Sequence, residues 1–500
     1  MNVAHNLRHG RLFFTDRAAI LFEGRTLTYR ELDETSNRVA NALTGLGIHR
    51  GDRVAIYLPN IPEFAIVYYG ILKVGAIAVS INAIFKQDEV DFILNDSGSR
   101  LLFTTSDLAA QLERIECSAL ERVITVDRSL ADLVAKGSAQ ARVAEMEATD
   151  PALLLYTSGT TGFPKGATLS HGNVVSNTWS VVHHAGYRPE DRLVLFLPLF
   201  HVFGQNFVMN ACFLAGSTLV LHRRFVPDAV LGSIASDQVS MFFGVPSIYV
   251  SLLNLELKLD QLVSIRYWFS AAATMPQEIS RRWTERFGRP IYEGYGLTET
   301  SPFAAYNHDF RHKFGSVGTP VENFEIRIVD DSDEEVSTGS LGEIAIKGPG
   351  VMLGYWGRPE DTAMAIRDGW FRSGDIGSMD DEGYIFIVDR VKDMINRSGF
   401  KIWPAEVEQL LYRHPAVKEV AVYAVPDAEV GEAVAAAIVL RDGAQASAQE
   451  ITEYCRARAA AYKAPSRVDF VAELPKNPTG KILKRVLRER AAPPAPAPAP

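Results

Sequence analysis

Cysteine is scarce: Cys117, Cys212 and Cys455 stand far apart in 500 residues. That leaves neither a disulfide framework nor a thiolate metal spacing, and it suits a reducing compartment. Positive charge is short as well. The net charge is −9, so no general affinity for nucleic acid or an anionic membrane is implied. No long apolar run is uninterrupted. The most apolar stretch, FAIVYYGILKVGAIAVSINAIF (Phe64–Phe85), carries Lys73, two glycines, Ser80 and Asn82. It reads as a buried helix followed by a strand rather than a membrane span. The opening MNVAHNLRHG lacks an apolar signal core, and a cytoplasmic location is expected. There is no internal repeat. What remains is 47% apolar and 22% charged, the balance of a soluble globular protein. The length exceeds one ordinary core, so two or more domains are expected.

Up to about residue 390 the texture alternates. Arg53–Pro59, Arg100–Thr105, Arg122–Asp127, Asp191–Pro198 and Ser217–His222 are short β-rich runs. Between them lie helix-compatible segments such as Tyr29–Gly47, whose apolar residues return every three or four positions. This predicts layered α/β structure. From about 315, FEIRIVD (324–330), GEIAIKG (342–348) and GYIFIVDR (383–390) read as period-two strands of a small β-barrel or sheet. Residues 392–490 read as a small α+β unit, and Ala491–Pro500 is a Pro-Ala repeat that favours an extended polyproline II spacer. Its composition fits a frayed tail and an interdomain linker equally.

YTSGTTGFPKG (Tyr156–Gly166) follows the apolar run Ala152–Leu155. It combines small hydroxyls, glycines that allow close backbone approach, and one cation, which together suit polyphosphate. It is not a Walker A loop, because Pro164 precedes Lys165 and Gly166 follows it. Four more segments accompany it: EGYGLTET (293–300), WFRSGDIG (370–377), with Asp375 in a tight turn, DRVKDMINRSGFKIWPAEVE (389–408) and PKNPTGKILKRVLRER (475–490).

In order and spacing these five segments resemble the core motifs of the adenylate-forming superfamily, over residues from about 10 to 490. The resemblance implies a large N-terminal AMP-binding domain (1–391, barrel-like near 315–391) followed by a mobile C-terminal lid (392–490). It implies an enzyme in which a carboxylate attacks the α-phosphorus of ATP and a thiol then displaces AMP. Lys481 matches the catalytic lysine that bridges the carboxylate and the α-phosphate. Thr157, Ser158, Gly159, Thr160, Thr161, Gly162 and Lys165 would cradle the β- and γ-phosphates. Thr298 would touch the α-phosphate, and Glu299 would help hold Mg²⁺, which prefers oxygen ligands. Tyr295, between Gly294 and Gly296, would pack on adenine. Asp375 would accept the ribose hydroxyls with Arg390 nearby. Lys392 stands at the hinge, and the loop Ser398, Gly399, Phe400 and Lys401 would swing in to line the thiol path.

LPLFHVFGQNFVMN (197–210) and FSAAATMP (269–276) match the acyl-pocket segments. His201 takes the place near the carboxylate, unless it is simply a packed core histidine. An amino-acid-activating relative would carry an aspartate there to pair the ammonium, whose burial alone is costly. Val202, Phe203, Phe207 and Met209, with Ala271, Ala272 and Ala273, predict an apolar pocket. The expected substrate is an apolar monocarboxylate, with small alanines at the floor favouring a fatty over an aromatic acid. The thiol is CoA or the phosphopantetheine of an acyl carrier protein.

Overall fold

The computed structural model describes all residues except 113, 136, 158–163, 258, 428, 479 and 492–500. Two mixed sheets form the bulk of the chain. One has seven strands in the order Gly354–Tyr355, Lys165–Ser170, Pro151–Thr157, Ile77–Ser80, Arg53–Tyr57, Leu101–Thr104, Arg122–Thr125. Its five central and outer strands from Pro151–Thr157 to Arg122–Thr125 are parallel. Ile77–Ser80 and Leu101–Thr104 are buried along their whole length, as strands covered on both faces must be. The other sheet has nine strands. Its parallel centre runs Ala18–Phe22, Thr218–Leu221, Arg192–Leu195, Met241–Gly244, Tyr267–Ser270, Tyr292–Gly296.

The Phe64–Phe85 stretch is a buried helix, Pro62–Lys73, followed by the strand Ile77–Ser80. Lys73 tolerates full burial because its ammonium donates to Asp33 Oδ1 at 2.6 Å, Ser36 Oγ at 2.6 Å and Asn37 Oδ1 at 2.7 Å; a buried charge needs such partners. Asp33, Ser36 and Asn37 lie on the helix Tyr29–Gly45, which starts at a capping box between Thr28 and Glu31. Among the described residues no helix is long and apolar enough to cross a membrane.

The expected change of texture near 315 is a five-stranded antiparallel sheet: Glu325–Val329, Gly342–Lys347, Trp370–Met379, with Ile366–Arg367 and Ile385–Arg390 both against Trp370–Met379. Beyond it a further sheet carries Phe400–Ile402, Ile395–Arg397, Gly431–Leu440, Val417–Asp427 and Arg467–Phe470, covered by the helices Pro404–Leu411, Ala448–Arg456 and Lys484–Ala491. Buried apolar residues of this last unit, among them Val407 and Leu411, belong to the same continuous core as the rest, and polar contacts add to it: Ala405 N–H donates to Asp389 Oδ2 at 2.8 Å, and Gln277 N–H donates to Gln409 Oε1 at 2.9 Å.

Candidate active site

A cavity of about 1020 Å³ opens between the two large sheets, the antiparallel sheet and the C-terminal unit. One wall is built by the segment after Arg192–Leu195. There Phe203–Asn210 winds as a π-helix, a wide turn frequent at functional sites. It sends Phe203 and Phe207 towards Phe269 at the end of a central strand. Phe207 stacks on Phe269 with centroids 4.7 Å apart, and Phe303 closes the corner edge-on to Phe207 at 5.2 Å. All four rings line the cavity, as do Val202 and Ala271. Phe269 opens the expected pocket segment 269–276 but was not itself singled out, and Phe303 was not expected, because nothing local in the sequence sets it apart from other core phenylalanines. Ala272 lies exposed at the cavity edge, and Ala273 is exposed and outside the lining. Met209 is buried behind the wall. Two of the three expected alanines thus line the cavity and Ala273 does not, so the three together form no floor that favours a fatty substrate.

His201 borders this wall. Its Nδ1 accepts the Phe203 N–H at 3.2 Å, which leaves the neutral ring's proton on Nε2. Burial, helped by the nearby Lys481, lowers its pKa to about 4. His201 is thus a neutral hydrogen-bond donor rather than a cation.

The Gly-Tyr-Gly turn has a steric reason. A Cβ on Gly294 would stand 2.5 Å from Phe269 Cζ, and one on Gly296 would stand 1.4 Å from Pro302 O. Only glycine lets the strand lie against the ring wall and then turn. The turn delivers Thr298 to the cavity and Glu299 into partial enclosure. Glu299 Oε1 accepts Tyr355 O–H at 3.0 Å and Thr157 O–H at 3.5 Å, and burial raises its pKa. Tyr355 was missed, since it reaches the site only because the strand Gly354–Tyr355 pairs with Lys165–Ser170. Ser158, Gly159, Thr160, Thr161 and Gly162 lie outside the described residues. Lys165 lines the cavity but is ion-paired to Asp361, so a phosphate must compete with a carboxylate for it. Glu299, a carboxylate beside the Thr157 hydroxyl, fits Mg²⁺, which keeps waters and phosphates as its other ligands.

Asp375 sits within the strand Trp370–Met379 rather than in a tight turn. Gly374, at φ +72°, and register breaks in both neighbouring pairings bend the strand there, as a bulge does. Its carboxylate accepts Tyr295 O–H at 2.7 Å and Arg390 Nε–H at 2.7 Å, one on each oxygen. Each oxygen keeps a second lone pair. Tyr295, Arg390 and Lys392 all line the cavity.

Lys481 enters from the C-terminal unit. Its own N–H donates to Asn477 Oδ1 at 2.8 Å, and the Asn477 N–H returns to the Lys481 carbonyl at 2.9 Å. This closes a tight loop that presents the side chain to the cavity. Burial, with Arg390 next, brings its pKa down to about 8. The expected thiol-path residues are not in the cavity. Ser398 and Gly399 form the two-residue turn, both at positive φ, of an exposed hairpin whose Phe400 stacks on Tyr462 at 4.7 Å.

A neutral histidine, the flanking residues Thr157 and Lys165 and a lysine from a second unit thus converge beside an apolar wall. Family models described as AMP-binding enzyme and AMP-binding enzyme C-terminal domain match residues 11–356 and 406–481. The chain belongs to the AMP-binding enzyme family. It is 37% identical to a feruloyl-CoA synthase of an Amycolatopsis species, over 94% of this chain and 95% of that one. It is 36% identical to a long-chain-fatty-acid–CoA ligase of Salmonella typhimurium, over 97% of this chain and 93% of that one. Among solved structures, the anthranilate CoA ligase AuaEII in complex with anthranoyl-AMP superposes with a TM-score of 0.94 at 31% identity, covering 98% of this chain and 97% of that one. This AMP-binding enzyme is an adenylate-forming acyl-CoA ligase using ATP and CoA, with the mixed α/β body and small C-terminal domain of its relatives.

Proposed function

We propose that this ligase activates an apolar monocarboxylate carrying a ring, seated against Phe203, Phe207, Phe269 and Phe303. The observation that carries this reading is the ring wall itself. Behind it stand Phe243, Tyr267 and Tyr306, with Tyr267 stacked on Phe269 at 6.0 Å. A wall backed by rings offers flat apolar surface and stacking geometry, which an aromatic acid uses better than a flexible chain. A fatty acid is the second reading, favoured by the fatty-acid ligase among the relatives. CoA is the acceptor, since no observation favours a carrier protein.

In this reading the acid's carboxylate lies between His201 Nε2–H and Lys481. Holding both anions at one cation addresses the main difficulty of adenylation, the repulsion of two negative groups and the charge developing at phosphorus. Thr298 orients the α-phosphate. Asp375, braced by Tyr295 and Arg390, takes the ribose hydroxyls on its remaining lone pairs. Glu299 holds Mg²⁺, which when bound neutralises phosphate charge. Residues 392–490 are a lid that turns about Lys392 between the half-reactions, carrying Lys481 away and bringing Ser398–Lys401 in to line the pantetheine path. Hinge residues absorb such rotations. Acid-dependent ATP–pyrophosphate exchange tests the substrate: benzoate should outrun hexanoate, octanoate and laurate, and all should outrun acetate or an amino acid. A best rate with acetate or an amino acid would refute the apolar wall, and a best rate with laurate would install the fatty reading.

A further inference from the structure

Lys481 is delivered by a loop whose described residues hydrogen-bond to one another, and its seat against the N-terminal body is made by the neighbouring residue. Gly480 N–H donates to the Asn477 carbonyl at 2.8 Å, and Lys476 bridges to Ile482 across the loop. The Gly480 carbonyl, immediately before Lys481, accepts Ser247 Oγ–H at 3.1 Å, a bond spanning 233 positions of sequence. Gly480 has φ +82°, and a Cβ built on it would stand 2.6 Å from Val245 Cγ2 and 2.9 Å from Ser247 Oγ. Val245 is buried, and Ser247 lies in the first turn of the helix Pro246–Leu253, directly after the central strand Met241–Gly244. One side of the contact is therefore core scaffold and the other is the loop that carries the cation.

We propose that Ser247 is a positioning residue for the first half-reaction: it latches the Gly480 carbonyl and so sets where the Lys481 ammonium stands. The proposal rests on the reading of Lys481 as the adenylation cation. A contact made only while Lys481 faces the cavity serves adenylation and is released when the thiol step needs another wall.

The test compares Ser247→Ala, Gly480→Ala and Lys481→Ala in the full chain. It follows benzoate-dependent ATP–pyrophosphate exchange, CoA thioester formation from supplied benzoyl adenylate, and melting temperature. Ser247→Ala should lower kcat for exchange about five- to tenfold, the usual worth of one hydrogen bond. KM for ATP and acid, the thioester step and the melting temperature should hold. Gly480→Ala should lower exchange further, because its side chain both strains the backbone and meets Val245. Unchanged exchange in Ser247→Ala, or equal loss of both half-reactions, would overturn the latch. If Lys481→Ala keeps full exchange, the reading of Lys481 fails, and the latch with it. If Lys481→Ala loses exchange while Ser247→Ala keeps it, the latch alone fails.

Discussion

Phe207 is 2% exposed and packs on the rings of Phe203, Phe243, Phe269 and Phe303, whereas Gly480, beside Lys481, meets the same body through one hydroxyl and the side of Val245. Both regions line one cavity. The ring wall, which we propose seats the acid, is held by burial of large rings, whose removal costs several kcal/mol each. The lysine loop is held by hydrogen bonds worth about 1 kcal/mol each. A wall that selects substrate gains from rigidity, while a group needed in only one of two steps must be cheap to release. The proposed division of labour accords with that difference in packing.

Four changes sharpen or break this contrast. Lys481→Ala should reduce ATP–pyrophosphate exchange by about 10²–10³, the usual cost of removing one preorganised charge-stabilising donor. Melting temperature should hold, since the lysine packs no core; a large thermal loss would make it structural. Phe207→Ala should do the reverse, costing about 3–5 kcal/mol of stability and raising KM for benzoate more than for ATP, as read by calorimetry and exchange kinetics. Exchange should also carry a basic limb. The Lys481 pKa is lowered to about 8 and the proposed role uses the cation, so activity should be present below that pH and fall as pH rises through it. Lys481→Arg should lose the limb whatever its absolute rate, because a guanidinium does not deprotonate there. With a pKa near 4, His201 should add no acidic limb above about pH 5. The smallest effect is expected at the end of the chain. Deleting residues 492–500, whose Pro-Ala composition cannot build a core, should leave both half-reactions unchanged, and any loss would give that segment a role.

Much of this was legible in sequence because the chemistry sits in local runs. Period-two strands, the capped helix Tyr29–Gly45 and the Gly-Tyr-Gly turn each carry their reason within a few residues. The setting of Asp375 was misread: Gly374 signals a turn, and only pairing with Glu343–Ala345 on one side and Arg390 on the other makes it part of a bulged strand. What escaped was tertiary. Phe269 and Phe303 become a wall only when the π-helix brings Phe207 onto them. Tyr355 reaches Glu299 through a two-residue strand pairing. Ala271, Ala272 and Ala273 look alike in sequence, yet Ala271 is partly buried in the lining while Ala273 faces outward. Ser247 carries no motif, and its place is set by a contact between residues far apart in the chain.

The division between wall and lid is tested most directly by giving Lys481→Ala the intermediate it cannot make. Supplied with benzoyl adenylate and CoA, the variant should form benzoyl-CoA at the wild-type rate, because the lysine serves only the step already completed. Loss of thioester formation to the same degree as loss of exchange would contradict the account.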